Sequence, residues 1–544
     1  MLLAILIGVI VIVFANSLSR RIGVAGPLIL VAIGLAVSMI PAVSAVTVAP
    51  NLILIGVLPP LLYSAAVSAP AIEFRRDLTA ISGLAVLLVI VSALAVGLVF
   101  FLLMPAIGFP LAVALGAIVS PTDAVATSIV RTLGVPSRVV TVLEGESLLN
   151  DASSLVLLRT AIVAAASSFS LIAAVGSFVW SVFVAIVVGA ALGFIALWLR
   201  TRTKSAVGNT ALGLTIPYLA YLPSEALGGS GLVAAVAAGL VCGQGALRWL
   251  TPEQRASDKL NWSTIEFLLK GAIFLLMGLQ LWGIIQDNIK AHEGLMKGLG
   301  IAAIAFVVLI AVRALYVMPM LSIHTARVKR LVQDRLDTSD KRSAKQLGHI
   351  RADFDYFDAS PLTWKHNTII VWAGMRGAVT LAAAQTLPED TPERSLLIFI
   401  AFVVAAGSLM VQGLTLPSLA RILKLGELGE SGPPRTEIRE INGQLQDAAQ
   451  HAIDSATLVR ADDTAFSTAV YELPRSWFVA SFDGSGETSA AEALSFELAL
   501  IGVMRARLHE LGRSGWHTTG ALRYVLDELD AYEISVMLLL ESEK

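Results

Sequence analysis

Long apolar segments separated by short polar connections make up the first 425 residues of the chain. Thirteen of these segments are long enough to cross, or nearly cross, the roughly 30 Å of hydrocarbon in a bilayer. They lie at about 2-18, 24-40, 48-70, 79-104, 110-132, 142-166, 171-199, 206-224, 230-247, 261-286, 297-321, 365-387 and 395-425. Beyond residue 425 the spacing becomes that of soluble amphipathic helices. The pattern predicts an all-α polytopic membrane protein: a transmembrane domain of about 13 helices at 1-425 and a small α-helical cytosolic domain at 426-544.

Basic residues fall in every second connection between the apolar runs. The basic connections contain Arg20 with Arg21, Arg75 with Arg76, Arg131 with Arg138, Arg200 with Arg202 and Lys204, Arg248 with Arg255 and Lys259, and the long segment 322-364. The other connections hold little more than Lys290, Lys297 and Arg394. Because cytoplasmic loops are enriched in Lys and Arg, this alternation predicts an amino terminus outside the cell membrane and a tail in the cytoplasm.

The composition agrees with a membrane protein and excludes several other classes. The chain is 56% hydrophobic and 15% charged, whereas soluble domains carry about 25% charged residues. No basic segment precedes the run at 2-18, so we expect it to be the first membrane helix and not a cleaved signal. The one cysteine, Cys242, excludes an intramolecular disulfide, and we expect it to be a small buried side chain. We expect no nucleic-acid partner and no resident cofactor.

Two polar regions outside the apolar runs have no assigned chemistry. The 322-364 loop contains RVKRLVQDRLD and the acidic DFDYFD, and we expect surface helix beside the membrane, either contacting lipid or a partner or serving as a solvated connector. The tail opens with the turn-rich linker ELGESGPPR. Its role is either regulatory or dimer-supporting, or it is a passive appendage.

Charged side chains lie inside the apolar runs. The sixth run contains VLEGESLLNDASSLVLLR, in which Glu146 and Asn150 are four residues apart and therefore share one side of a helix. At about 1.5 Å of rise per residue, Asp151 in this run, Asp123 in the fifth and Arg376 in the twelfth all lie near the bilayer midplane. A charge at that depth is costly, so such residues indicate a functional site.

The fifth and twelfth runs also carry helix-breaking residues. Pro121 removes a backbone donor in the fifth, and Gly374 and Gly377 flank Arg376 in the twelfth. Irregular backbone at membrane depth survives only where protein or a water-filled cavity satisfies its polar groups. The two runs are seven apart, as expected for two inverted repeats with broken crossing helices. That arrangement marks the binding site of a secondary transporter.

The oxygen atoms available at this depth suit a hard monovalent cation such as Na⁺. Carboxylates of Asp151 and Asp123 and hydroxyls of Thr122 and Ser147 are oxygen ligands, and no soft or imidazole ligand is near in the sequence. We expect Glu146 and Arg376, of opposite charge, to form a structural ion pair. Asp151 would then hold either a proton or a cation, which is the chemistry of antiport.

Other interpretations of these residues stay open. Asp123 could cap a half-helix without touching the ion, and Glu144 could line the entrance or do nothing. Glu266 and Lys270 are four residues apart and could neutralise each other. An intramembrane enzyme is disfavoured because all seven histidines fall in loops, at run boundaries or in the tail. A primary pump would need a phosphate-binding loop, and the sequence has none. A cation channel stays an alternative, and so does K⁺ in place of Na⁺, because cavity size and not ligand type selects between them.

Four motifs in order resemble the monovalent cation:proton antiporter family, which includes bacterial NhaP-like sodium/proton antiporters and animal sodium/proton exchangers. They are LPPLLY, SPTDAVA, EGESLLND and GMRGAVTLAAA, and the likeness covers about 1-425. The resemblance implies a homodimer in the plasma membrane that exchanges Na⁺ or Li⁺ for H⁺ by an elevator movement, in pH and sodium homeostasis. It implies a dimerisation part at about 1-70 and 171-286, and a core part at about 79-166 and 297-425.

The resemblance also assigns individual residues. The family's asparagine-aspartate pair falls on Asn150-Asp151, its threonine-aspartate on Thr122-Asp123, its glutamate-serine on Glu146-Ser147 and its motif arginine on Arg376. Asparagine before Asp151 implies electroneutral exchange of one cation for one proton. We expect Arg313 to lie near a membrane face, where it can snorkel, although it also matches a recurrent family position. The family's acidic residue after LPPLLF is missing, because this chain has Tyr63-Ser64 there. Lys270 matches no family pattern.

Overall fold

The structure, a computed structural model, describes residues 2–40, 49–123, 125–166, 171–203, 205–290, 294–337, 353, 356–357, 362–425, 434–460, 464–471 and 490–542. Apart from one isolated β-bridge between Val459 and Ala465, the regular structure in these ranges is helical. The helices of the membrane part are α1 (Leu2–Ile22), α2 (Gly26–Ser38), α3 (Leu52–Ser68), α4 (Ala71–Arg76), α5 (Leu78–Leu103), α6 (Gly108–Val119), α7 (Val125–Thr132), α8 (Ser137–Ala166), α9 (Leu171–Arg202), α10 (Ala206–Ala226), α11 (Gly231–Trp249), α12 (Pro252–Lys290), α13 (Leu295–Asp337), α14 (Trp364–Trp372), α15 (Ala378–Gln385) and α16 (Arg394–Ile422).

Every apolar run predicted from the sequence coincides with a helix or with a pair of half-helices. Among the described residues, eight helices are long and apolar enough to cross a membrane by themselves: α1, α5, α8, α9, α11, α12, α13 and α16. The fifth run is the pair α6 and α7, and the twelfth is the pair α14 and α15. The remaining runs are α2, α3 and α10. This multi-pass helical architecture confirms the predicted fold class, while the total of thirteen crossings stays a prediction.

Small residues let the membrane helices pack closely. A Cβ atom on Gly34 of α2 would lie 2.5 Å from the carbonyl oxygen of Leu275 in α12. A Cβ on Gly116 of α6 would lie 2.3 Å from the carbonyl oxygen of Ala93 in α5. Close backbone approach of this kind is how membrane helices gain packing energy, because lipid supplies no hydrophobic force between them.

The tail forms a small helical domain, as predicted. Its helices are α17 (Arg435–Asp454), α18 (Thr468–Tyr471), α19 (Ala490–Ser514) and α20 (Thr519–Ser542). Ile441 of α17, Ile501 of α19 and Val525 of α20 are buried in one apolar cluster. Arg255 at the start of α12 forms an ion pair with Asp530 of α20 at 2.5 Å, so the domain contacts the membrane part directly.

The predicted loop at 322-364 differs in part from the sequence interpretation. Residues 322-337 continue α13 without interruption, so this portion is an extension of the eleventh membrane helix. Residues 338–352, 354–355 and 358–361 lie outside the described residues, as does most of the linker, at 426–433. Within DFDYFD, Tyr356 donates a hydrogen bond to Asp77 at 2.8 Å, and Asp77 forms a fully buried ion pair with Arg138. The motif is therefore held against the ends of α5 and α8.

Candidate functional site

The two interrupted helices meet at their breaks. In the chain between α6 and α7, the backbone N–H of Asp123 donates to the carbonyl of Met375, between α14 and α15, at 2.7 Å. Pro121 has no N–H to continue α6, and the structure has the break where the sequence predicts it. Because unpaired backbone groups at this depth need partners, the hydrogen bond between the two breaks helps to stabilise both of them.

Arg376 is the buried cation at this crossing, with 1% of its surface exposed. Its Nε donates to the carbonyl of Val119 at 3.0 Å, and its Nη1 donates to the carbonyl of Gly374. These carbonyls lie at the carboxyl ends of α6 and α14, where unpaired oxygens give a helix its negative end. The guanidinium group therefore neutralises two half-helix ends at once. The backbone N–H of Arg376 donates to Ser408 Oγ at 2.9 Å.

Glu146 pairs with a different arginine from the one predicted. Both terminal nitrogens of Arg313, on α13, donate hydrogen bonds to the Glu146 carboxylate. One of them lies 2.7 Å from Glu146 Oε2. Arg313 also donates to the carbonyl of Ile370 at 3.0 Å. The predicted Glu146–Arg376 pair is therefore wrong in its partner, because Arg376 is occupied by backbone carbonyls. The buried ion pair joins α8 to α13.

Thr122 and Asn150 hold the first break against α8. The hydroxyl of Thr122 donates to Glu146 Oε1 at 3.1 Å. Asn150 Nδ2 donates to that hydroxyl at 2.8 Å and to the carbonyl of Thr122 at 3.2 Å. Asn150 therefore positions the break, and it occupies a carbonyl that would otherwise be free for an ion.

Asp123 lies between the amino ends of two half-helices. Its Oδ1 accepts a hydrogen bond from the N–H of Val125 at 3.1 Å, which caps α7. A Cβ atom added to Gly377, just before α15, would lie only 1.7 Å from Asp123 Oδ2. The Asp123 carboxylate thus caps α7, and it also fills the space above Gly377.

A cavity of about 90 Å³ opens beside this crossing. Its polar lining comprises Thr122, Asp123, Ser147, Asp151, Lys270 and Thr380. Since roughly 10–15 Å³ of such volume holds one water, the space admits a partly hydrated alkali cation. Within the ranges that the structure describes, the partly buried carboxylate of Asp151 has no hydrogen-bond or ion-pair partner. A carboxylate with free lone pairs facing a small polar cavity can bind either a proton or a cation.

Comparisons with known proteins identify the family of the chain. Residues 6–422 match the family described as sodium/hydrogen exchanger, transmembrane. The chain belongs to the sodium/hydrogen exchanger family. It is 30% identical over 415 residues to the Na⁺/H⁺ antiporter ApNhaP of Aphanothece halophytica, covering 75% of this chain and 71% of that protein.

Two further relatives extend the comparison. The sodium, potassium, lithium and rubidium/H⁺ antiporter of Bacillus pumilus is 28% identical over 438 residues, covering 77% of this chain and 61% of that protein. The solved structure of the sodium proton antiporter MjNhaP1 from Methanocaldococcus jannaschii at pH 8 matches with a TM-score of 0.57 and 18% identity, covering 78% of this chain and 99% of that chain. The latter match establishes the antiporter fold.

In this exchanger-family chain, the wall of the cavity opposite the crossing comes from α3 and α12. Lys270 of α12 lines the cavity and forms an ion pair with Glu266, as the spacing predicts. Ser64 of α3 donates to Glu266 Oε2 at 3.0 Å. Ser64 stands where the family motif has its acid, so Glu266 brings a carboxylate to that position from another helix. Glu144 is not among the residues that line the cavity, and it pairs with the exposed Arg131.

Three features of the site were missed in the sequence. The position of Arg313 in its apolar run predicts a side chain near a membrane face that can snorkel, but this is wrong, because Arg313 is 2% exposed and pairs with Glu146. The sequence does not predict that Thr380 lines the site, because a threonine within an Ala-rich helix has no distinctive pattern. The close approach of Asp123 to Gly377 depends on the crossing of two helices distant in sequence. Only GMRG, with glycines on both sides of a buried arginine, gave a signal for it.

Proposed function

We propose that the protein is an electroneutral antiporter that exchanges one Na⁺ or Li⁺ for one H⁺, with Asp151 as the group that binds each in turn. The observation that carries this proposal is the unpartnered Asp151 carboxylate beside the crossing of two broken helices. Asp123, Thr122 and Ser147 border the same cavity and supply further oxygen ligands. Release of the proton frees Asp151 for the cation, and binding of the cation excludes the proton.

The balance of buried charge supports a one-for-one exchange. Around the crossing the described charged groups are two guanidinium groups and three carboxylates, those of Arg313, Arg376, Glu146, Asp123 and Asp151. Their sum is −1, because Glu266 with Lys270 and Glu144 with Arg131 form neutral pairs. One proton or one monovalent cation neutralises the site equally. The loaded core is then uncharged in both directions of its movement, which keeps the cost of crossing hydrocarbon low.

The remaining features of the proposed function follow from the family resemblance and the loop charges. The carrier is a homodimer in the plasma membrane, with its amino terminus outside and its tail in the cytoplasm. Its core part, 79-166 and 297-425, moves as an elevator against the dimerisation part, 1-70 and 171-286. Asp151 lies in the core part, whereas Lys270 and Ser64 lie in the dimerisation part. The cavity therefore sits on the surface along which the two parts would slide.

Exchange of K⁺ for H⁺ is the second candidate. The Bacillus pumilus relative is named as an antiporter of sodium, potassium, lithium and rubidium, so its name covers K⁺ as well as Na⁺. Oxygen ligands alone do not separate ions of one charge. Adding Na⁺, Li⁺ or K⁺ in turn to proteoliposomes loaded with a pH dye distinguishes the candidates by which ion dissipates the proton gradient.

Substitution of Asp151→Asn tests the assignment. We expect it to abolish cation-dependent proton movement in everted vesicles, because an amide has no titratable proton and no negative charge for the cation. The measurement is dequenching of a pH dye on addition of Na⁺, with protein amount and thermal unfolding determined alongside.

Asp287→Asn is the matched control, since Asp287 is largely exposed at the far end of α12. The control should exchange like the wild type. If Asp151→Asn still exchanged protons for cations at the wild-type rate, the proposed role of Asp151 would be wrong.

A further inference from the structure

Thr380 is a buried polar residue of the cavity that the proposed mechanism does not use. It lies in the first turn of α15, and 1% of its surface is exposed. Its backbone N–H donates to the carbonyl of Gly377 at 3.2 Å. Its hydroxyl oxygen, in contrast, has no hydrogen-bond partner among the described residues. The side chain therefore contributes a polar atom to the interior without an internal bond to balance its burial.

An unpaired buried hydroxyl has an energetic cost that points to a ligand. Leaving such a group unsatisfied destabilises a protein by about 1–3 kcal/mol. Native proteins keep few such groups, and those they keep are commonly satisfied by water or a ligand. Asn150 offers a comparison: its Oδ1 is also unpaired and buried, but Asn150 does not line the cavity. Thr380 does, on the same surface as Asp123 and Asp151.

The position of Thr380 complements the other oxygens. Thr122 and Asp123 come from the first broken helix, and Ser147 and Asp151 come from α8. The second broken helix otherwise contributes backbone contacts and the buried Arg376 to the crossing. A hydroxyl from α15 would approach the cavity from a third direction, and hard cations favour several oxygens converging from different sides.

We propose that the Thr380 hydroxyl is a further oxygen ligand of the transported alkali cation, contributed by the second broken helix. This inference rests on the proposed function and extends it by one binding residue. In the protein without cation, the hydroxyl forms no hydrogen bond with the described residues. Its removal should therefore weaken cation binding and leave folding intact.

The test compares Thr380→Val with Thr380→Ser in the full chain. Val has nearly the shape of Thr and lacks the hydroxyl, while Ser keeps it. Thermal unfolding is measured in choline chloride and again in NaCl, and the Na⁺ dependence of exchange is measured in proteoliposomes. In choline we expect Thr380→Val to unfold at or above the wild-type temperature. In NaCl its stabilisation should be smaller, and its KM for Na⁺ about tenfold higher, as loss of a polar contact to a charge predicts.

Thr160→Val is the matched control, because Thr160 lies on α8 and its hydroxyl donates to the carbonyl of Val156 at 2.8 Å. It should keep the wild-type KM, and so should Thr380→Ser. Thr380→Ala provides a second variant without the hydroxyl and should also raise the KM.

Three results would overturn the inference. An unchanged KM in both Thr380→Val and Thr380→Ala, with active wild type, would show that the hydroxyl holds water only. Destabilisation of Thr380→Val in choline would show a structural role. Absence of both exchange and Na⁺ stabilisation in the wild type would overturn the proposed function and this inference with it.

Discussion

At the residue scale, the two buried arginines have different tasks. Arg313 holds a carboxylate, and Arg376 holds the carbonyl ends of two half-helices. The sequence favours Arg376 as the partner of Glu146, because it places Arg376 near the bilayer midplane and Arg313 near a membrane face. The direction from which each helix approaches α8 decides which arginine reaches Glu146. Arg376 emerges inside a break, where free carbonyls are nearer than any carboxylate.

The Glu146–Arg313 pair makes a testable contribution to stability. Arg313→Ala leaves Glu146, 1% exposed, with the Thr122 hydroxyl as its remaining described donor. Removing one partner of a buried pair destabilises a protein by about 3–5 kcal/mol. We therefore expect a clear fall in thermal unfolding temperature and in the yield of folded protein.

A second pair on the same helix provides the control for this prediction. Glu144 of α8 forms an ion pair with Arg131 of α7, and the Arg131 side chain is 68% exposed. Exposed pairs contribute about 0–1 kcal/mol, so Arg131→Ala should be close to neutral. Equal effects of the two alanine substitutions would contradict the assigned burial of the Arg313 pair.

At the scale of the element, helix breaks were predictable and helix contacts were not. Pro121 and the glycines around Arg376 indicated both breaks, because proline and glycine act locally. The apolar runs likewise indicated the membrane helices, although α12 begins before its run, at Pro252, and α13 continues past its run to Asp337. The close approach of Asp123 to Gly377, the place of Thr380 in the cavity lining and the partner of Glu146 depend on how distant helices cross, which has no local signature.

The last helix, α20, shows another contact between distant elements. Its first residues donate hydrogen bonds to two carboxylates, one from the membrane part and one from the tail. The backbone N–H of Thr519 donates to Glu73 of α4 at 2.7 Å, and that of Thr518 donates to Glu437 of α17 at 2.5 Å. Unpaired N–H groups and the positive end of the helix dipole favour carboxylates at this position.

Glu437 predicts how the tail responds to acid. Burial by itself would raise the pKa of Glu437, but the neighbouring His517 and two hydrogen bonds from Thr518 outweigh it and lower the pKa. A lowered pKa means that Glu437 stabilises the fold above its ordinary pKa of about 4.3, and that this contribution is lost as the pH falls through the lower folded value. We expect hydrogen exchange at residues 515-525 of the full chain to be slower in wild type than in Glu437→Gln at pH 7. The difference should vanish well below pH 4. A difference equal at both pH values would contradict the lowered pKa.

At the scale of the whole molecule, the tail lies on the same face as two connections that the charge pattern predicts to be cytoplasmic. Arg523 of α20 donates to the carbonyl of Ser68 at 2.6 Å, at the end of α3. Lys259, near the start of α12, pairs with Asp527 at 2.6 Å. Burial lowers the pKa of Arg523, while Glu73, Asp527 and Glu144 oppose that shift. The tail thus contacts the predicted dimerisation part and also α4, which lies between the two predicted parts.

The opposite face carries an ion pair across the boundary between the two predicted parts. Arg159 of α8, in the core part, lies 2.8 Å from Glu225 of α10, in the dimerisation part. The pair borders a cavity of about 260 Å³ that also contains Asn51 and Thr386. If the core part moves as an elevator, this contact must break in every cycle, because α8 carries Asp151.

Covalent linkage of this contact therefore tests the movement. In a Cys242→Ser background, which removes the one native thiol, Arg159→Cys with Glu225→Cys can be joined by a short thiol reagent that a reductant cleaves. We expect the joined protein to stop exchanging and the cleaved protein to resume. Thr210→Cys with Ser257→Cys is the control, because their hydroxyls lie 3.0 Å apart within the dimerisation part. Joining that pair should leave exchange intact, since neither residue changes its neighbour when the core part moves. Full exchange with Arg159→Cys joined to Glu225→Cys would mean that α8 and α10 stay together, and that ions reach Asp151 from both sides of a carrier whose two parts do not slide.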